Sequence, residues 1–210
     1  MMGTSMHAFS VAPSRLGRRL PRAASLLIAF AIVCATMIAL PVQEARADRA
    51  SAFMKKVTTA LLRASRKNSS VALERVIARY ADVPYIGRYS LGRYARALPR
   101  RDRARYQRGM VRFMARYAAG EAPKYPVRNV RVLSRGFRIS GGIGVDTRVV
   151  LRNGTSYDIR WLLVRRGGTY KVRDVQVVGI WILQFQRTLF RKFIEEKGGR
   201  VAALVRVLTR

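Results

Sequence analysis

The spacing of apolar residues predicts helices in the first half of the chain. Phe53, Val57 and Leu61 recur every four residues, which is close to the period of an α-helix. A longer helix is predicted from about Arg101 to Ala119, because apolar side chains recur on one face of this stretch and arginines fill the other face.

The second half of the chain alternates apolar and polar residues, as β-strands do. Asn153-Gly154 and Gly167-Gly168 interrupt the alternation with residues that favour tight hairpin turns. We therefore predict about four antiparallel strands joined by short turns. The helical period returns from about Ile180 to Glu196, and a short helix is predicted after Gly198-Gly199. Helices, then a sheet, then helices indicate an α+β fold.

The first 47 residues have the organisation of a secretory signal peptide. Four arginines precede an uncharged apolar run from Ala23 to Leu40, and Ala45-Arg46-Ala47 presents small residues where a signal peptidase reads them. We expect cleavage after Ala47, export to the periplasm, and one domain over residues 48–210. The apolar run is also long enough to be a retained membrane anchor, and the sequence leaves that alternative open.

The composition of the predicted domain excludes several kinds of chemistry. The only cysteine and the only histidine of the chain, Cys34 and His7, precede residue 48. Zinc sites of the Cys/His kind therefore lack ligands, and Ser-His-Asp or Cys-His catalysis lacks its base. The aspartates are scattered along the sequence and form no recognisable catalytic pair. We expect no enzyme activity, no catalytic residue, no metal and no cofactor.

The chain is strongly basic, with a formal net charge of +31, and 35 of its 42 basic residues are arginine. Because the first 47 residues hold five arginines and one glutamate, the predicted domain carries +27. Guanidinium groups pair well with phosphate, so the charge indicates anionic partners, although a solvated basic surface is the alternative. The tyrosines in "GRYSLGRYAR" would also suit nucleic acid. An exported protein rarely meets nucleic acid, so we expect no such partner.

Two blocks, Tyr80 to Ala119 and Tyr170 to Phe193, resemble the MlaC family, also called the toluene-tolerance family. Its members are periplasmic phospholipid-binding components of Mla ABC transport systems. Four elements of the second block fall on the family pattern: Asp174-Val175, Gly179, Arg187 and Phe190. Trp181 stands where the family usually has serine, and Phe185-Gln186 where it often has Asn-Tyr.

This resemblance implies a curved antiparallel sheet with helices packed on it around a hydrophobic lipid cavity. It implies a carrier that sequesters a phospholipid's acyl chains and shuttles the lipid between the membranes. The implied partners are an inner-membrane ABC transport complex, an outer-membrane lipoprotein/porin complex and membrane surfaces. Another guest such as a hopanoid stays open, because Trp181 would suit a flatter lipid. The sequence has no glycine-rich phosphate loop, so we expect no ATP chemistry.

Bulky apolar residues of the predicted elements are the candidates for the cavity wall. They are Phe113, Met114, Tyr117, Val149, Trp161, Leu163, Val172, Trp181 and Phe185. An apolar stripe of this kind is also typical of plain core. The candidates for head-group or partner contact are Arg88, Arg93 and Arg96. We further expect Gly179 to permit a close backbone approach, and Arg187 to pair with Asp174 or to lie at the cavity edge.

Overall fold

The computed structural model describes residues 47–210, so the predicted signal sequence lies outside the described residues. Six helices occur in this part of the chain: α1 (47–66), α2 (Ser70–Tyr80), α3 (Val83–Leu91), α4 (Arg103–Glu121), α5 (Ile182–Glu196) and α6 (Val201–Leu208). Short 3-10 turns flank α4 at Gly92–Ala97, Arg100–Asp102 and Ala122–Lys124. No described helix is long and apolar enough to cross a membrane.

The strands form one curved, open antiparallel sheet in the order β1-β3-β4-β5-β6. Strand β2 pairs with β3 beyond the end of β1, so both lie along the same edge of β3. The strands are β1 (Val127–Val132), β2 (Phe137–Ile139), β3 (Gly142–Leu151), β4 (Ser156–Arg166), β5 (Thr169–Val177) and β6 (Ile180–Trp181). The predicted α+β fold is therefore confirmed, and so are both hairpins, which close at the pairs Val150–Ser156 and Arg166–Thr169.

The chain between α4 and β3 forms two short strands, β1 and β2, and not one continuous strand. Between β1 and β2 the chain turns to meet the start of α1, where the Gly136 amide donates a hydrogen bond to the Ala47 carbonyl at 3.2 Å. A Cβ atom on Gly136 would lie 2.9 Å from the Cβ of Ala50, so the contact needs glycine. Contact with the helix thus interrupts a strand that the alternation alone would continue.

A two-residue turn, Val178-Gly179, joins β5 to β6, and Val177 pairs with Ile180 across it. Both turn residues have positive φ, +49° for Val178 and +79° for Gly179. A Cβ on Gly179 would meet no heavy atom within 4 Å. The expected close approach at Gly179 is therefore wrong, because the turn needs its backbone conformation and not its small size.

Three apolar clusters hold the described residues together, and two of them are large. In the first, Met54 and Val57 of α1 pack on Leu163 of the sheet. In the second, α3, α4, α5 and α6 pack on one another around Tyr106 and Phe190. Fully burying one such side chain contributes roughly 1.5–3 kcal/mol. The candidate site draws its wall from both large clusters.

Candidate functional site

An apolar cavity of about 140 Å³ lies between the sheet and the helices. Helices α1 and α2 contribute Val57, Leu61, Val76, Ile77 and Tyr80 to its wall. Strands β4 and β5 contribute Trp161, Val172, Arg173, Asp174 and Val175. Helices α3, α4 and α5 contribute Ile86, Met114, Ile182, Leu183 and Gln186, and Ala81 completes the wall. Ile182 is 40% exposed and so belongs both to the wall and to the outer surface.

An irregularity in the pairing of β4 with β5 places four successive β5 residues at this cavity. Leu162 pairs with Asp174, but Leu163 pairs with Val172, so Arg173 has no partner across the ladder. A bulge of this kind bends a strand and redirects its side chains. As a result, residues 172–175 all reach the wall, whereas a regular strand would turn every second one away.

The indole of Trp161 has a fixed orientation in the wall. Its Nε1 donates a hydrogen bond to the Thr147 Oγ1 at 2.9 Å, and Thr147 is fully buried. Val175 lies directly opposite Trp161 on the neighbouring strand. Because the indole nitrogen is satisfied within the sheet, the ring adds apolar surface to the cavity without an unpaired donor.

The wall residue Arg173 belongs to an ion cluster with Asp82 and Arg166. The Arg173 Nη2 donates to the Asp82 Oδ2 at 2.9 Å, and the Arg166 Nε approaches the same oxygen at 3.4 Å. Asp82 is only 4% exposed, and the Arg173 guanidinium lies 3.9 Å from the centroid of the Tyr85 ring. The charge of Arg173 at the cavity is thereby paired with a buried carboxylate of the protein.

The Asp174 carboxylate links the wall to the start of α5. Its Oδ1 accepts hydrogen bonds from the amides of Val175 at 2.7 Å and Leu183 at 3.0 Å. Burial raises the pKa of the Asp174 carboxyl above its ordinary value, although the two amides oppose the rise. The expected pair with Arg187 is wrong, because the Arg187 guanidinium lies 4.9 Å from the Tyr89 ring centroid instead.

A buried polar pair adds a side-chain amide to the wall. The Gln186 Nε2 donates to the Ser90 Oγ at 2.9 Å, and the Ser90 hydroxyl donates to the Ile86 carbonyl at 2.8 Å. Both side chains are buried. Gln186 is one of the three residues that depart from the family pattern, and it lies in the wall itself.

Three of the nine predicted wall residues, Met114, Trp161 and Val172, line this cavity. Leu163 is instead fully buried in the core beneath α1. Val149 lies on β3 between Val130 and Tyr157 of the adjacent strands.

The other four predicted wall residues lie on helices or at the last strand. The Phe113 ring contacts the Phe190 ring at 5.4 Å between centroids, and Tyr117 is 60% exposed. Trp181 lines a surface groove with Arg160 and Gln184, and this groove meets the cavity at Asp174. Phe185 is 56% exposed.

The three candidate arginines do not line this cavity. Arg88, Arg93 and Arg96 are all exposed, and the Arg93 Nη2 pairs with the Glu195 Oε1 at 2.8 Å. The charged wall residues are Arg173 and Asp174, and Asp82 forms an ion pair with Arg173. Sequence reasoning missed this cluster because Asp82 and Arg173 lie far apart in the chain.

The chain is similar to known proteins in sequence and in fold. A family described as MlaC protein matches residues 45–210. A search of curated proteins found no match. Among solved structures, the chain is similar to the phospholipid-binding protein from Ralstonia solanacearum, solved in complex with a phospholipid. The two share 20% sequence identity with a TM-score of 0.62, over 75% of this chain and 93% of the Ralstonia chain.

Proposed function

Because the chain belongs to the MlaC family, we propose that it is a carrier that holds acyl chains of a phospholipid in the cavity between the sheet and helices α1, α2, α4 and α5. The observation that carries the proposal is the apolar wall around Trp161 and Val175, which reaches the surface at Ile182. The Ralstonia phospholipid-binding protein, which shares the fold, supports it.

The physical need for such a cavity follows from the cost of exposing lipid tails. Moving one methylene group into water costs about 0.8 kcal/mol, so two tails of roughly 15 carbons stand to lose ~20 kcal/mol or more. A lipid that crosses an aqueous compartment therefore requires a wall that excludes water. The protein must bind the lipid about as tightly as the membrane holds it, so that loading and unloading are both possible.

The size of the cavity indicates that loading widens it. A cavity of about 150 Å³ takes a guest of the size of benzene, and this cavity measures about 140 Å³. It therefore admits the leading end of one acyl chain, and two full tails require the helices to move away from β4 and β5. Met114 suits a wall that changes shape, because its unbranched side chain adapts to irregular gaps.

We propose that residues 1–47 direct export and are removed after Ala47, and that residues 48–210 work in the periplasm. The carrier would exchange its lipid with an inner-membrane ABC transport complex and an outer-membrane lipoprotein/porin complex. The order of basic residues, apolar run and Ala-Arg-Ala supports export. Family membership supports the partners.

Native mass spectrometry of the protein recovered from the periplasmic fraction tests the proposal. We expect the mass of residues 48–210 plus bound phospholipid. Val175→Phe is expected to remove the lipid, since Val175 is in the wall and faces Trp161. Val149→Phe is the matched control, because Val149 is also a half-buried strand valine but is not in the wall.

Loss of lipid in Val175→Phe alone supports the proposal. Equal loss in both variants, or a wild-type protein that never carries lipid, contradicts it. Extraction of the bound lipid and identification of its mass separates a phospholipid from a polycyclic lipid such as a hopanoid.

A further inference from the structure

The segment from β5 to the first turns of α5 exposes apolar side chains that the fold leaves uncovered. Val178 is 73% exposed, Ile180 61%, Phe185 56% and Leu189 43%. Together with Ile182 they form the exposed apolar segment, five large apolar residues within a dozen positions. Exposed apolar residues this concentrated mark an interaction surface.

Most of this segment lacks charge, in a protein where charge is common, and Arg187 is its one charged residue. Val175 to Gln186 is the longest stretch without a charged residue in positions 47–210, whereas 25% of all residues are charged. The stretch therefore presents an apolar surface on a body whose described residues hold 37 basic and 10 acidic side chains.

The backbone of Val178 is a second, independent observation. Val178 and Asn68 are the non-glycine residues with positive φ in the described part of the chain. A β-branched residue in this conformation is an outlier, and a turn of this type favours asparagine, aspartate or glycine there. Such strain costs about 1–3 kcal/mol and clusters at functional sites. Stability of the turn does not account for an exposed valine.

We propose that the exposed apolar segment inserts into the surface of an anionic lipid bilayer. Apolar and aromatic side chains of this kind bury themselves at the boundary between head groups and acyl chains, while basic residues are attracted to anionic lipid. Ile182 belongs to both this segment and the cavity wall, so insertion brings the cavity to the bilayer. That this insertion serves lipid exchange rests on the proposed lipid-carrier function. The insertion itself does not depend on that function.

The charge of the protein favours a bilayer over a second copy of the chain. Two domains that each carry +27 repel one another, whereas an anionic surface attracts them. The attraction acts over about 10 Å at ordinary salt and brings the segment to the surface. Burial of the apolar side chains then holds it there.

The test is cosedimentation of the protein, expressed from the full-length gene, with vesicles of phosphatidylglycerol and phosphatidylcholine. The segment variant carries Val178→Asn, Ile180→Thr and Leu189→Gln, none of which is in the cavity wall. The control variant makes matched changes at exposed residues elsewhere in the chain: Val71→Asn, Val207→Thr and Leu133→Gln. We expect the segment variant to bind at least about tenfold more weakly, because affinity scales with buried apolar area, and the control to bind like wild type.

Val178→Asn alone separates a binding role from a structural one. Asparagine tolerates positive φ, so this variant is expected to melt at a higher temperature and yet to bind vesicles more weakly. A residue with a purely structural role would not lower vesicle binding while raising stability.

Three results overturn the proposal. In the first, the wild-type protein does not bind phosphatidylglycerol vesicles. In the second, the segment variant binds them as tightly as wild type. In the third, sedimentation velocity shows that the wild-type protein is a dimer and the segment variant is a monomer. The lipid held in the cavity, measured by native mass spectrometry, is expected to be the same in the segment variant. If that lipid persists while vesicle binding is absent, only this inference fails; if no protein carries lipid, the proposed function fails.

Discussion

Asp174 on strand β5 caps helix α5, because its Oδ1 accepts a hydrogen bond from the Leu183 amide at 3.0 Å. The first amides of a helix have no partner within the helix, and negative charge at this end is favourable. The carboxylate comes from a neighbouring strand and not from the residue before the helix. It therefore fixes where α5 begins relative to the wall of the cavity.

The cap predicts different results for two substitutions of Asp174. Asp174→Asn keeps an oxygen acceptor and is expected to retain most of the stability. Asp174→Ala leaves the amides of Val175 and Leu183 without their acceptor, and is expected to cost about 1–2 kcal/mol. Urea unfolding followed by circular dichroism measures both free energies of unfolding. Equal values for the two variants would show that the carboxylate does not cap the helix.

The raised pKa of Asp174 predicts a pH dependence. Burial raises this pKa above the ordinary carboxyl value, so between the two values the native state holds more protons than the unfolded chain. The contribution of Asp174 to stability therefore declines as pH rises through that window and stays constant above it. Asp174→Asn removes the decline, so the stability of this variant relative to wild type is expected to increase over the same window. Urea unfolding across the acidic range measures the difference, and a difference independent of pH would contradict the assignment.

The sequence predicted those parts of the fold that depend on neighbouring residues. Asn153-Gly154 and Gly167-Gly168 form the expected hairpins, because their preference for the turn lies in their own backbones. The resemblance to the MlaC family is confirmed over residues 45–210. The turn at Gly136 was missed, because it depends on a helix nearly ninety residues earlier in the chain.

The candidate site was harder to predict, because the direction of a side chain depends on distant elements. Phe113 and Met114 are adjacent and apolar, but neighbouring residues on a helix point about 100° apart. Met114 lines the cavity, whereas Phe113 contacts Phe190. The predicted pair of Asp174 and Arg187 is wrong for a related reason. The prediction matched opposite charges, but the Asp174 carboxylate accepts a hydrogen bond from a backbone amide instead.

The ion cluster behind the wall predicts a large loss of stability when Asp82 is removed. Asp82→Ala leaves the Arg173 guanidinium, whose side chain is 17% exposed, without its carboxylate. Breaking a buried pair from one side costs roughly 3–5 kcal/mol. The control is Asp158→Ala, which removes the exposed partner of Arg148 and is expected to leave the melting temperature unchanged. Similar melting temperatures for the two variants would contradict the importance of the cluster.

Two glycines of α4 predict opposite effects of the same substitution. A Cβ on Gly109 would lie 2.9 Å from the Leu208 carbonyl oxygen, which is backbone and cannot move aside cheaply, so Gly109→Ala must separate α4 from α6. Overpacking of this kind costs about 1–3 kcal/mol. A Cβ on Gly120 meets nothing within 4 Å, so Gly120→Ala is expected to stabilise the helix by up to about 1 kcal/mol. Thermal unfolding gives the melting temperature of each variant. If both substitutions raise it, α4 and α6 do not meet at Gly109.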